Sequence, residues 1–192
     1  MSNDFKISKT AQLRAISSPI RQEILDTVNA LGICSIPEIA EALDRPADSL
    51  YYHIRALLKA KLLLDAGTRR KKRHTEALVK APTERVMRLE YKLGDVQNAT
   101  AIAKIVRGML RVAERDFATG LHHSQAQGDS DQRNLNASRQ KGWLTQDELR
   151  EVNEHLLRLQ EIFHGAQRRD DTTFCSLTFV MAPVEQTKAA DS

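Results

Sequence analysis

Cysteine is scarce in this chain of 192 residues: only Cys34 and Cys175 occur, far apart and outside any CxxC or Cys/His ligand spacing. No disulfide framework or thiolate metal centre is expected from such a pair, which suits a reducing cytosol better than secretion. Long apolar runs are missing as well. None approaches the roughly 18 residues that a membrane span requires, and the opening MSNDFKISKT is polar, so a cytoplasmic chain without membrane contact is expected. GxSxG, P-loop, GxGxxG and HExxH patterns are absent too. Carboxylates such as Asp95, Asp116 and Glu148 are explicable as caps or solvated positions. His122, His123, Asp129 and Asp131 repeat no ligand spacing. Nothing in the sequence therefore requires catalysis, a cofactor or a metal.

What is present is charge, unevenly spread. The formal total is +4, yet residues 1–92 hold 17 Lys and Arg against 11 Asp and Glu, a local excess of +6, and the remainder stands at −2. That asymmetry suggests a polyanionic partner for the first half and a different task for the second. We divide the chain accordingly, at residues 1–80 and 81–192.

The stretch 48–61, DSLYYHIRALLKAK, has the pattern of a helix with two jobs. Leu50, Ile54, Leu57 and Leu58 form one apolar stripe directed at a core, and Asp48 is a natural N-cap. Off the stripe lie Ser49, Tyr51, Tyr52 and Arg55, groups able to reach a base edge or a phosphate. Taken alone, the same pattern also suits a surface helix whose tyrosines lie flat on their neighbours, so the flanking sequence decides.

Upstream, residues 9–17 suit a short helix with Leu13 and Ile16 inward. Ser18-Pro19 then starts a second helix, which carries Ile20, Ile24, Leu25, Val28 and Leu31 and ends at Gly32. A short apolar link at 33–35 follows, then a helix over 37–43 and a turn at 44–47. Helix, tight turn, helix is the geometry in which the second helix lies in a major groove. Downstream, the sequence predicts a strand over 62–66, turn chemistry at Gly67-Thr68, a basic tip of Arg69, Arg70, Lys71, Lys72, Arg73 and His74, and a second strand over 75–79. A hairpin wing over 67–74 would hold five cations beside the candidate recognition helix, suited to phosphate or minor-groove contact.

Together LRAISSPIRQEIL, IPEIAEALDRPADSLYYHIRALLKAKLL and the basic hairpin resemble the winged helix-turn-helix domain of ArsR-like bacterial transcriptional regulators, over residues 10–79. The resemblance implies that Ser49, Tyr51, Tyr52 and Arg55 read double-stranded DNA, and that His53 packs between helices or faces a phosphate. Metal-sensing members carry paired cysteines in the helix matching 37–43. This chain has none there, which speaks against metal sensing at that site.

In the second half, 85–91 suggests a strand and Asp95 caps a long helix reaching about residue 121. Val96, Ala99, Ala103, Val106, Leu110, Ala113 and Phe117 make one apolar stripe, with Ile102, Ile105, Met109 and Val112 beside it. One stripe is expected inside the fold and the other against a second subunit, because DNA-reading folds of this kind are usually two-fold dimers. A polar connector at 122–142 precedes a capping box at Thr145 to Glu148 and a helix with Leu149, Val152, Leu156, Leu159 and Phe163 inward. Residues 173–181 are β-branched and aromatic, a strand expected to pair with 85–91. The expected architecture is mainly α with small β. An N-terminal winged helix-turn-helix domain precedes a C-terminal α/β dimerisation region with two long helices and a short sheet. A homodimeric transcriptional regulator follows, with an effector, if any, of unknown chemistry. The alternative is a winged helix that binds RNA or a protein partner without operator specificity; charged residues are depleted in protein interface cores, which disfavours the protein partner.

Overall fold

The computed structural model describes residues 5–71, 74–84, 86–166 and 168–185. Six helices and five short strands run along them: β1 (Phe5–Ile7), α1 (Thr10–Ile16), α2 (Pro19–Leu31), β2 (Cys34–Ser35), α3 (Ile36–Ala42), α4 (Ala47–Lys59), β3 (Leu64–Lys71), β4 (His74–Lys80), β5 (Met87–Leu89), α5 (Val96–Gly120) and α6 (Gln146–Gly165). The architecture is mainly α with small β, as the sequence predicts.

One core joins these elements. Ile24 and Val28 of α2, Ile39 of α3, and Leu50, Ile54 and Leu57 of α4 are removed from solvent, together with Leu62, Leu63 and Val79. Ile102 and Ile105 of α5 belong to the same cluster, so the long helix is docked on the helical unit. Polar contacts fix that crossing. The buried Gln22 donates through Nε2 to the Ile16 carbonyl at 2.7 Å and to the Ile105 carbonyl at 3.1 Å. Gly108 allows the approach, because a Cβ there would stand 3.0 Å from the Gln22 amide. About two turns farther along α5, Arg115 meets the buried Glu23 carboxylate at 2.5 Å. Of the two stripes on α5, the one with Ile102 and Ile105 is inward, with Met109 packed against the core. The other is largely outward, with Val96 77% and Leu110 51% exposed.

Two small sheets complete the fold. β2, β4 and β3 are antiparallel in that order, and β1 lies parallel to β5. This corrects the expected pairing of 85–91 with 173–181. Within 85–91 only β5 is extended, Arg85 lies outside the described residues, and the strand's partner is β1, with Phe5 opposite Met87 and Ile7 opposite Leu89. Residues 173–181 form no strand. Pairing Phe5 and Ile7 with Met87 and Leu89 places apolar side chains on the main core. The 173–181 segment reaches no such surface, and Phe174 remains 75% exposed.

The hairpin also departs from the expected layout. Leu62 and Leu63 are fully buried behind α4 and precede the strand. β3 runs straight through Gly67 and Thr68, which sit at a register shift and not at a turn. Gly67 has φ 86°, and its N–H donates to the Asp65 carboxylate at 2.7 Å, features of a bulge that requires the left-handed backbone. Arg69, Arg70 and Lys71 therefore lie on a paired strand, whereas Lys72 and Arg73 lie outside the described residues.

α6 begins at the expected capping box: the Thr145 N–H donates to Glu148 Oε2 at 2.7 Å, and Thr145 Oγ1 accepts from the Glu148 N–H. Its expected inward face, however, is not in a core. No residue of this 20-residue helix is buried.

Candidate nucleic-acid interface

Backbone geometry sets how α4 is presented. Pro37 occupies the first turn of α3, and Ser35 and Glu38 cap it reciprocally. At its other end Asp44 takes φ 49°, its N–H donates to the Glu41 carbonyl and the Arg45 N–H to the Ala40 carbonyl. This left-handed closure turns the chain within a few residues. α4 then starts two residues earlier than an Asp48 cap implies. Its N-cap is Pro46, extended at φ −60° and ψ 131°, so Asp48 is not the cap but a first-turn residue. There its charge still complements the helix dipole. Ser49 Oγ donates to the Pro46 carbonyl at 2.7 Å, which commits its hydrogen and leaves its lone pairs to accept.

With Leu50, Ile54 and Leu57 inward, the opposite face of α4 carries Asp48, Tyr52, Arg55 and Lys59, spaced four, three and four residues apart. The two tyrosines diverge. Tyr51, 42% exposed, lines with Arg55 a groove between α4 and the hairpin, floored by Ile54, Leu58 and Val79. Tyr52, 71% exposed, has its ring 5.6 Å from the Arg21 guanidinium of α2 and meets the His53 ring edge-on at 5.4 Å. Arg21 also donates to the Ala15 carbonyl at 3.3 Å, so it links α1, α2 and α4. His53 is half-buried, and its Nδ1 is shut off from solvent without a hydrogen-bond partner. Burial, with Arg21 and Arg45 adding to it, lowers its pKa and favours the neutral ring.

On the hairpin the cations are not equivalent. Arg69 is opposite Glu76 in the β3 to β4 register, and its Nη2 contacts Glu76 Oε2 at 3.2 Å and Glu38 Oε1 of α3 at 2.7 Å. Lys71, two residues on and thus on the same face, is 3.8 Å from Glu76 Oε1. Arg70 points to the other face, opposite Thr75, and is exposed. Against the upward push of burial, the Ser35 N–H and the Arg69 guanidinium hold the Glu38 carboxyl below its usual range. The bond from Arg69 does the same for Glu76.

Ser49, Tyr51, Tyr52, His53 and Arg55 are thus gathered on one helix beside the hairpin. Arg69 is turned inward to carboxylates, and Arg70 outward. Lys59 was missing from the sequence-derived set, although its position four residues beyond Arg55 on the Asp48 to Tyr52 face was visible in the spacing. Glu38 and Glu76 were missing too, and no local pattern links them to Arg69. Among the described residues, no group of three or more His, Cys, Asp or Glu side chains could hold a metal ion.

A family model described as a helix-turn-helix domain matches residues 16–65, which hold α2, β2, α3, α4 and the first residues of β3. The chain carries a helix-turn-helix domain, a class of module associated with DNA binding and transcription regulation. No curated protein matches the chain. Among the described residues no helix is long and apolar enough to cross a membrane.

Proposed function

We propose that the chain is a sequence-specific DNA-binding transcriptional regulator of the ArsR-like winged helix type, acting as a homodimer without catalytic activity of its own. The observation that carries this reading is the outward face of α4, where Tyr52, Arg55 and Lys59 are exposed next to a hairpin that presents Arg70. Such a helix suits a major groove, with the hairpin as the wing along the flanking backbone. Arg55 and Tyr51 reach base edges, and Arg70 neutralises a phosphate. Asp48 suits acceptance from a cytosine amino group.

Two copies are required because a single helix specifies too few base pairs among the competing sites of a genome. The outer stripe of α5 supports a two-fold seam: Val96, Ala99, Ala103, Val106, Leu110, Ala113 and Phe117 alternate spacings of three and four, the repeat of a coiled coil, and most of them are exposed. α6 has the same spacing at Leu149, Val152, Leu156, Leu159 and Phe163 with none buried, so it adds to the surface available to a second copy.

Selection of random duplexes with the full chain tests the reading. The expected product is a site with two related halves about one helical turn, or a multiple of it, apart. On that site Tyr51→Ala or Arg55→Ala costs roughly 1 to 3 kcal/mol and much less on random DNA, whereas Arg70→Ala weakens both alike. Recovery of no consensus, or equal losses from both groups of variants, removes sequence reading from the account.

A further inference from the structure

Arg69 has the charge of a phosphate contact and the surroundings of a structural bolt. A single nitrogen, Nη2, reaches carboxylates on two elements: Glu76 on the neighbouring strand at 3.2 Å, and Glu38, 31 positions earlier on α3, at 2.7 Å. Glu38 is not a free acceptor, because its other oxygen takes the Ser35 N–H at 2.8 Å. Ser35 is itself fully buried and pairs with Leu78 of β4. The network therefore forms a closed circuit, β4 to β2 to the start of α3, then back through Glu38 and Arg69 to β3. Two carboxylates face Arg69 and the more distant Lys71, so among the described residues the charges on this face of the hairpin nearly balance.

We infer that Arg69 is a positioning residue that clamps the hairpin against α3, with Glu38 and Glu76 as its seats, and that it makes no phosphate contact. The helix-turn-helix and the hairpin are joined along the chain by Lys61 to Leu63, and β2 supplies only two residues of pairing. One guanidinium nitrogen bound to both elements fixes the angle at which Arg70 stands relative to α4. Arginine suits this role because its planar donor array can engage two carboxylates at once, which a lysine ammonium does with less geometric control.

The inference rests on the DNA-binding reading for its consequence but not for its geometry, and the experiment separates the two. Arg69→Gln, Arg69→Lys, Glu38→Gln and Arg70→Ala are prepared in the full chain. Hydrogen exchange of the β3 and β4 amides without DNA is compared with duplex binding across salt concentrations. Exchange in the hairpin is expected to quicken in both Arg69 variants and in Glu38→Gln while α4 stays protected, and to be unchanged in Arg70→Ala. In binding, Glu38→Gln is the discriminating variant. Removing a negative charge beside DNA would strengthen binding by electrostatics alone, whereas a lost clamp weakens it, by roughly three- to tenfold. The slope of log K against log salt stays at the wild-type value for Arg69→Gln and becomes shallower by about 0.9 for Arg70→Ala. Unchanged hairpin exchange in the Arg69 variants overturns the clamp. So does an Arg69→Gln slope that falls like that of Arg70→Ala, together with tighter binding by Glu38→Gln. A wild type with no affinity for duplex DNA defeats the DNA-binding reading, and the exchange data still decide the clamp.

Discussion

α4 and α6 begin from similar sequence patterns and end in opposite surroundings. Each is amphipathic, with apolar residues at spacings of three and four. In α4 the stripe of Leu50, Ile54 and Leu57 is sealed among α1, α2 and α3, whereas α6 has no buried residue. An isolated helix of this length is only marginally stable in water, because nucleation costs more than a few turns return. The contrast shows that periodicity identifies which face of a helix needs covering, not what covers it. For α4 the cover is the chain's own core, and for α6 and the outer stripe of α5 the proposed cover is a second copy.

The sharpest break in this comparison is a matched truncation. Ile54→Ala is expected to lower the unfolding free energy by about 3 kcal/mol, since it removes a fully buried side chain from a packed core. Leu156→Ala, measured by urea unfolding at a concentration where the chain is monomeric, is expected to cost less than about 0.5 kcal/mol. Equal costs would mean that α6 is already packed within its own chain.

Leu110→Glu comes next. The residue is outward on α5, so the charge should leave the monomer's stability nearly unchanged while weakening self-association by about 2 kcal/mol or more. Met109 is the poorer choice, because it packs on the core. Light scattering across a dilution series decides the matter. A wild type that is monomeric at micromolar concentration places the α5 stripe outside any dimer seam.

Acid should loosen the hairpin before it loosens α4. Glu38 and Glu76 both have folded-state pKa values below the usual 4.5, so their stabilising contribution is fully present above that value. It is lost as pH falls below 4.5 through the lowered values. Amide exchange of β3 and β4 followed from pH 6 downward, corrected for intrinsic exchange, should show local opening in that window and not above it. An opening already complete at pH 6 would detach the hairpin's order from these carboxylates.

What could be read in the sequence was local. The Ser18-Pro19 start of α2, its end at Gly32 with φ 74°, the Asp95 cap of α5 and the capping box of α6 all depend on residues within one or two turns of each other. The features that escaped depend on distant partners. Phe5–Ile7 is too short to announce itself and is a strand only because Met87–Leu89 lies beside it. Residues 173–181 have the composition of a strand but pair with no described strand, so β-propensity alone misleads there. Arg69 looked like one cation of five, and only the fold brings Glu38 to it. The Asp48 cap was displaced for a local reason: Pro46 holds an extended backbone that ends the turn two residues sooner.

The smallest expected effect concerns a residue that the well-packed region holds in an unfavourable backbone. Lys61 has φ 58°, and around it the N–H of Lys61 donates to the Leu58 carbonyl and that of Leu62 to the Leu57 carbonyl, both at 3.0 Å. This closure ends α4 and drops Leu62 and Leu63 straight into the core. A left-handed residue with a Cβ costs about 1 kcal/mol, which glycine does not incur, though glycine's freer unfolded chain returns part of the gain to the unfolded state. Lys61→Gly is therefore expected to stabilise the protein by about 0.5 kcal/mol, and Lys61→Ala, which removes the same charge but keeps the Cβ, should not. Thermal unfolding of the pair isolates the backbone contribution from that of the side chain. A Gly variant no more stable than the Ala variant would show that the closure is not strained, and that α4 is held in place by its buried stripe alone.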